Sequence, residues 1–115
     1  MFYDFFEGYI ECALWTATDE EGTPLDETYG VKDFSSSAFD EMRNDCREFY
    51  YANIVDVTKW ADDHDAGVNF CLTRNRHGAG FWDRGRGDLG KRLTDASHGY
   101  GEFWVHEQND GTLIL

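Results

Sequence analysis

The strongest constraint on the fold is an apolar stripe at helical spacing in the middle of the chain. Apolar side chains recur there every three or four residues, as on one face of an α-helix, at Phe39, Met42, Cys46, Phe49 and Tyr50. Ser36 and Ser37 precede the stripe, and Asp40 stands three residues after Ser37 in the pattern of a helix-capping box. The sequence therefore predicts an amphipathic helix over about residues 37–51.

Other segments also have helical patterns. Residues 2–17 place aromatic and aliphatic side chains on one side of a helix and acidic side chains on the other. Residues 18–35 contain glycine, proline and acids and predict a loop. A shorter helix is predicted near residues 54–63, ended by the acidic run that follows, and Asp88 is expected to cap a helix that ends at Gly99.

The periodicity changes to two from residue 68 onward. Residues 68–74 alternate, and residues 80–84 follow a glycine-containing turn, which predicts a β-hairpin. A second hairpin is predicted from residues 103–106 and 112–115, which flank the turn sequence Asn-Asp-Gly. Residues 1–115 are therefore expected to form a single α+β domain. Its helices would pack on one face of a four-stranded, mostly antiparallel sheet, in the order α-α-α-β-β-α-β-β.

The cysteines and the apolar runs of the sequence indicate where in the cell the protein is located. Cys12, Cys46 and Cys71 are odd in number and lack C-x-x-C spacing, so we expect reduced, buried thiols. Acids interrupt the N-terminal apolar run, which does not resemble a signal peptide. No stretch approaches the ~20 apolar residues of a membrane span. The sequence predicts a soluble cytoplasmic protein without a membrane partner.

The negative charge is confined to one part of the chain. Residues 1–65 hold 17 acidic and four basic residues, a net charge of −13, whereas residues 66–115 hold six of each. Direct nucleic-acid binding is disfavoured, because its affinity comes mainly from phosphates neutralised by Lys and Arg. A positively charged partner would be attracted to the acidic half, although a solvated face that keeps an aromatic-rich protein soluble is the alternative.

Twelve acids are candidate partner-binding residues. Glu41, Asp45 and Glu48 recur one turn apart on the solvent side of the predicted helix, where neighbours lie about 5–6 Å apart. Such a row of carboxylates on a rigid helix resembles the charges of a nucleic-acid backbone. The full candidate set is Asp19, Glu20, Glu21, Asp26, Glu27, Asp40, Glu41, Asp45, Glu48, Asp62, Asp63 and Asp65.

A second candidate surface is the hairpin predicted to begin at residue 68. Residues 74–92 have a net positive charge, and the candidate contacts in this hairpin are Arg74, Arg76, His77 and Arg84. This surface and the aromatic sheet would bind a partner without mimicry. They could also pair with a second copy as a homodimer, because the two halves of the chain differ in charge.

Motifs for catalysis or cofactor binding are incomplete. Residues 85–91 match G-x-G-x-x-G followed by Lys91, but no Ser or Thr comes next, and Asp88 places negative charge where a phosphate would bind. His77 has no nucleophile beside it, and the consecutive acids around His64 cannot all bind one ion. We therefore expect no cofactor, no metal and no enzymatic activity.

Several strings resemble a family of small acidic proteins encoded by tailed phages and mobile elements. They are YIECALW (9–15), LTRN (72–75), HGAGFWDRG (77–85), DLG (88–90) and LTDASHGYG (93–101). The resemblance brings no catalytic residue. It implies a phage context, in which small acidic proteins bind and inhibit host machinery, including restriction and CRISPR complexes. The expected function is inhibition of a host protein, of the anti-restriction or anti-CRISPR type. The acidic half would act as a DNA mimic toward a basic nucleic-acid-binding surface.

Overall fold

Helices form most of the chain in the computed structural model, which describes residues 1–114. Their bounds are α1 (Phe2–Thr16), α2 (Ser36–Ala52), α3 (Ile54–Thr58), α4 (Asp63–Arg74) and α5 (Gly87–His98). Short 3-10 turns cover Leu25–Glu27, Val31–Asp33 and Phe81–Asp83. The strands are β1 (His106–Glu107) and β2 (Leu113–Ile114). The α+β character is confirmed, with helix dominant.

The prediction of α2 from its apolar stripe is confirmed. Its N-cap is Ser35 rather than Ser36 or Ser37, because the Ser35 Oγ accepts a hydrogen bond from the Ala38 backbone N–H at 3.1 Å. The buried face consists of Ala38, Met42, Cys46, Phe49 and Tyr50. At the other end, the Asn53 side-chain amide donates to the Phe49 carbonyl oxygen at 3.0 Å and helps to end the helix.

The predicted hairpin over residues 68–84 is wrong. Residues 68–74 belong to α4, and Phe81–Asp83 form a 3-10 turn. The acidic run begins α4 instead of ending a helix, because the Asp62 carboxylate caps it by accepting from the Asp65 backbone N–H at 2.7 Å. The alternating pattern wrongly indicated a strand because α4 is buried on nearly all sides. A helix without a polar face does not reveal its period in the sequence.

The predicted four-stranded sheet does not form within residues 1–114. A two-stranded antiparallel hairpin is present, with the register His106–Ile114 and Glu107–Leu113. Its turn is closed by the Asp110 carboxylate, which accepts from the Thr112 backbone N–H at 2.9 Å, and Gly111 adopts a φ of 85°. The second predicted hairpin is thus confirmed in a shorter form. Leu115, its predicted last residue, lies outside the described residues.

Two glycines bring the backbones of α1 and α4 into close approach. A Cβ on Gly8 would lie 2.1 Å from the carbonyl oxygen of His64, and a Cβ on Gly67 would lie 1.8 Å from that of Phe5. Both distances are far below van der Waals contact, so any side chain at either position would force the helices apart. Glycine lowers the stability of a helix by about 1 kcal/mol relative to alanine. Here the absence of a side chain lets the two helices cross in close contact.

Aromatic rings fill the space between the helices. The Phe49 and Phe70 rings stack with centroids 4.1 Å apart, and Phe5 contacts both at 5.9 Å. Trp60 meets Phe81 edge-on at 5.0 Å. Such pairs add to the stability that comes from burial of apolar area. None of the helices in residues 1–114 is long and apolar enough to cross a membrane.

The three cysteines are buried in this core as free thiols. Burial raises the pKa of the Cys46 thiol well above its usual value. The pKa of the Cys71 thiol is also raised, first by a hydrogen bond with Cys12 and then by burial. Because the thiolate is the reactive form, these positions act as small apolar residues.

Candidate functional site

The acidic row predicted on α2 is partly occupied by contacts within the fold. The Asp45 carboxylate accepts from Arg74 Nη1 at 3.1 Å, and the Glu48 carboxylate accepts from the Tyr100 hydroxyl at 3.0 Å. Burial, and then Glu48, raise the pKa of Tyr100 to about 12. Of this row, only Glu41 is exposed without a side-chain partner among the described residues.

The acids at the start of α4 also have internal roles. Asp62 caps the helix, and the Asp63 carboxylate accepts from the Tyr50 hydroxyl at 3.0 Å and from the N-terminal amine. The Asp65 carboxylate accepts from the Trp60 indole N–H at 2.6 Å. Negative charge is favourable at a helix N-terminus, so this run stabilises α4. Asp19 has a similar role in its loop, where it accepts from the backbone N–H of residues 21 and 23.

Arg74 lies in the core, with 1% of its surface exposed. It donates to the Tyr9 hydroxyl at 3.2 Å, to Asp45, and to the backbone carbonyls of Tyr100 and Gly101 at 3.2 and 3.0 Å. Its guanidinium also lies over three aromatic rings, those of Phe70, Tyr100 and Phe103. Burial opposes its charge, but Tyr9 and Asp45 raise its pKa above the usual value. Arg74 therefore cannot contact a partner.

The other members of the predicted basic hairpin are dispersed because that hairpin does not form. Arg84 donates to the Asn69 side chain at 3.1 Å, beside the contact of Asp65 with Trp60. Arg76 and His77 are exposed just after α4, and the His77 ring lies 6.3 Å from that of Trp15. The structure therefore does not unite these four residues in one binding surface.

The glycine-containing turn before α5 has its basic side chains engaged within the fold. Lys91 contacts Asp95 at 2.8 Å, and Arg86 donates to the carbonyl oxygen of Lys59 at 2.7 Å. Gly90 lies against Phe81, whose carbonyl oxygen would be 2.6 Å from an added Cβ. Packing therefore accounts for Gly90, and positive φ angles of 69° and 58° account for Gly85 and Gly87, without a phosphate.

The Arg92–Asp56 ion pair gives a testable dependence of stability on pH. Arg92 donates to both Asp56 oxygens at 3.0 Å, which lowers the pKa of Asp56. The stability from this pair is present above the unfolded-state pKa of Asp, about 3.9, and is lost as the pH falls through the lower folded-state pKa. We expect Asp56→Asn to be destabilising near neutral pH, with a deficit that narrows below about pH 4. Urea unfolding of both proteins across this range measures it. A deficit independent of pH would contradict this assignment.

Half of the twelve predicted acids remain available at the surface. Their residues are exposed and their carboxylates accept no hydrogen bond from any described residue, although Asp40 lies 3.6 Å from Arg43. They are Glu20, Glu21, Asp26, Glu27, Asp40 and Glu41.

The most distinctive exposed surface was absent from the predicted set. Tyr3, Glu7, Glu11 and Trp15 follow one another every four residues along α1 and form its solvent-facing stripe, here called the α1 face. Tyr3 is 73% exposed and Trp15 is 50% exposed. The signal in the sequence was this repeat of aromatic and acidic residues, of which the predicted helix had placed only the acids on its polar side.

Two concave regions flank the α1 face. On one side lies a groove of about 510 Å³, lined by Phe6, Ile10 and Leu14 of α1 and by Val31, Phe39 and Arg43. Tyr3, Glu7 and Glu11 of the α1 face also line it. On the other side, a pocket of about 440 Å³ brings Asp26 beside Glu11 and Trp15. The α1 face is therefore a ridge of carboxylates between apolar depressions, with large exposed aromatic side chains at both ends.

No family model, curated protein or solved structure matches this chain.

Proposed function

We propose that this protein binds a basic, nucleic-acid-binding surface of another protein and thereby inhibits or modulates it. The contact is made by the α1 face together with the available acids of the loop after α1. The protein would act as a DNA mimic encoded by a phage, against a host target such as a restriction or CRISPR complex. It is not an enzyme in this proposal.

The observation that carries the proposal is the uncompensated negative charge on and beside α1. Among the described residues, Glu7 has no hydrogen-bond or ion-pair partner, and Glu11 has His64 alone. Asp26 adds a third carboxylate across the 440 Å³ pocket. The principal basic side chains that cross from the second half of the chain, Arg74 and Arg92, bind acids elsewhere. Positive charge on a partner would thus be attracted to this face.

Exposed aromatic side chains and an apolar groove give the α1 face contact area for a partner in addition to its charge. Tyr and Trp are enriched at interfaces because they combine a large apolar area with a polar group. Tyr3 and Trp15 are exposed at the two ends of the carboxylate pair. The adjoining groove offers apolar area to aliphatic side chains or to the stems of lysine and arginine.

Charge reversal on the α1 face is expected to weaken capture of the target strongly. The double variant Glu7→Lys with Glu11→Lys should weaken binding at least about tenfold, because each reversal replaces an attraction by a repulsion. Binding by the wild-type chain should fall steeply as salt is raised, because the contacts are exposed charge pairs. Immobilised protein incubated with host-cell lysate at several salt concentrations measures both effects.

The matched control is Asp88→Lys with Glu102→Lys, which changes the net charge equally at two exposed positions away from the α1 face. It should retain the target. Equal loss in both double variants would show a general charge effect and contradict the assignment to α1. Reversal of Asp45 is not a suitable test, since it would remove the carboxylate partner of buried Arg74.

A further inference from the structure

Three side chains that can bind metals meet where α1 crosses the start of α4. They are Glu7 and Glu11 of α1 and His64 of α4, and one ligand atom from each lies within 4.8 Å of the others. The His64 Nε2 is already in contact with a Glu11 carboxylate oxygen. The sequence placed His64 among the acids on either side of it, but those acids bind elsewhere and His64 faces α1 instead.

The backbone fixes this arrangement. Gly8 allows the carbonyl oxygen of His64 to lie directly against α1, at the position next to Glu7. Glu7 and Glu11 are one helical turn apart, so their Cα atoms are separated by about 6 Å along the axis. The three side chains thus project from two helices in close backbone contact, and only their rotamers need to change to bring the ligand atoms together.

The ligand chemistry favours zinc. One imidazole and two carboxylates are a ligand set that zinc accepts, whereas calcium and magnesium prefer oxygen ligands throughout. With bonds of about 2.0–2.1 Å, the ligand atoms around a tetrahedral ion lie about 3.4 Å apart, so side-chain rotation is enough to close the site. A divalent ion would also neutralise the two carboxylates. Water would complete the coordination.

We propose that Glu7, Glu11 and His64 form a zinc-binding site. This site shares Glu7 and Glu11 with the α1 face, so bound zinc would remove the negative charge by which that face attracts a partner. Zinc binding itself can be tested apart from the proposed function, because it requires only the side chains of this chain and the ion. It also provides a role for His64 that neither its sequence neighbours nor the core packing requires.

Isothermal titration of the folded protein with zinc chloride tests the site. We expect one saturable site per chain, together with a higher melting temperature in the presence of zinc, since an ion that binds only the folded state stabilises it. His64→Ala and Glu7→Gln should each lower the affinity at least tenfold. Glu7 has no partner among the described residues, so its variant should fold normally even if loss of the Glu11 contact affects the His64 variant.

The controls are His98→Ala and Glu41→Gln, which remove the same chemical groups elsewhere and should bind zinc as the wild type does. The proposal is overturned if the wild type shows no saturable site. It is also overturned if Glu7→Gln binds zinc with wild-type affinity, because the ion would then be held by other acids of this strongly negative chain.

Discussion

Replacing Arg74 with alanine is expected to lower the free energy of unfolding by about 3–5 kcal/mol, a large part of the stability of a small domain. The change removes the donor to Tyr9, Asp45 and two backbone carbonyls, and it leaves a cavity under aromatic rings. Urea unfolding followed by tryptophan fluorescence measures the loss.

Two other variants separate the role of Arg74 from a general effect of charge. Arg76→Ala removes an exposed arginine two residues away and should change stability by less than about 0.5 kcal/mol. Arg74→Lys should lose most of the same free energy of unfolding, because one ammonium group cannot reproduce the fork geometry of the guanidinium. An Arg74→Ala protein as stable as wild type would show that this network does not hold α4 against the rest of the core.

Gly67→Ala is expected to destabilise the protein by about 3 kcal/mol, at the upper end of the range for overpacked cores. In an ordinary helix interior the same change would stabilise by about 1 kcal/mol. Here the added Cβ would lie 1.8 Å from the backbone carbonyl oxygen of Phe5, and a backbone atom cannot rotate away as a side chain can. Thermal and urea unfolding should therefore show a loss of stability where helix propensity alone predicts a gain.

Gly78→Ala is the matched control, because a Cβ at that position would meet nothing within 4 Å and Gly78 has no positive φ. It should be close to neutral. Gly8→Ala should act in the same direction as Gly67→Ala, and the double variant should lose less than the two losses added, since both open the same helix crossing. A stabilised Gly67→Ala protein would mean that α1 and α4 are not in backbone contact.

The fold was predictable where local signals were complete. The stripe over α2 alternates buried and exposed positions with helical period, and its bounds were found to within a residue or so. The turn before Leu113 was also recognised from Asn-Asp-Gly. In α4, burial on nearly all sides left no continuous polar face to distinguish a helix from a strand, so composition and periodicity did not identify the helix.

The sequence predicted the negative charge of the candidate site but not the residues that form it. The net charge of residues 1–65 is fixed by counting, but which acids remain available depends on pairs such as Asp45–Arg74 and Asp56–Arg92, whose members are far apart in sequence. No local rule selects those pairs. The contact of His64 with Glu11 likewise arises only because two glycines let their helices cross closely.

If the α1 face occupies a surface that otherwise binds nucleic acid, duplex DNA should compete with this protein for its target. The most direct measurement adds excess duplex DNA to the capture experiment with wild-type protein and with Glu7→Lys combined with Glu11→Lys. A mimic should lose its target to the DNA, and the target should be a nucleic-acid-binding protein that the double variant fails to retain. Mimicry by the α1 face would be contradicted if excess DNA left the amount of captured target unchanged. It would also be contradicted if the double variant captured as much target as the wild type.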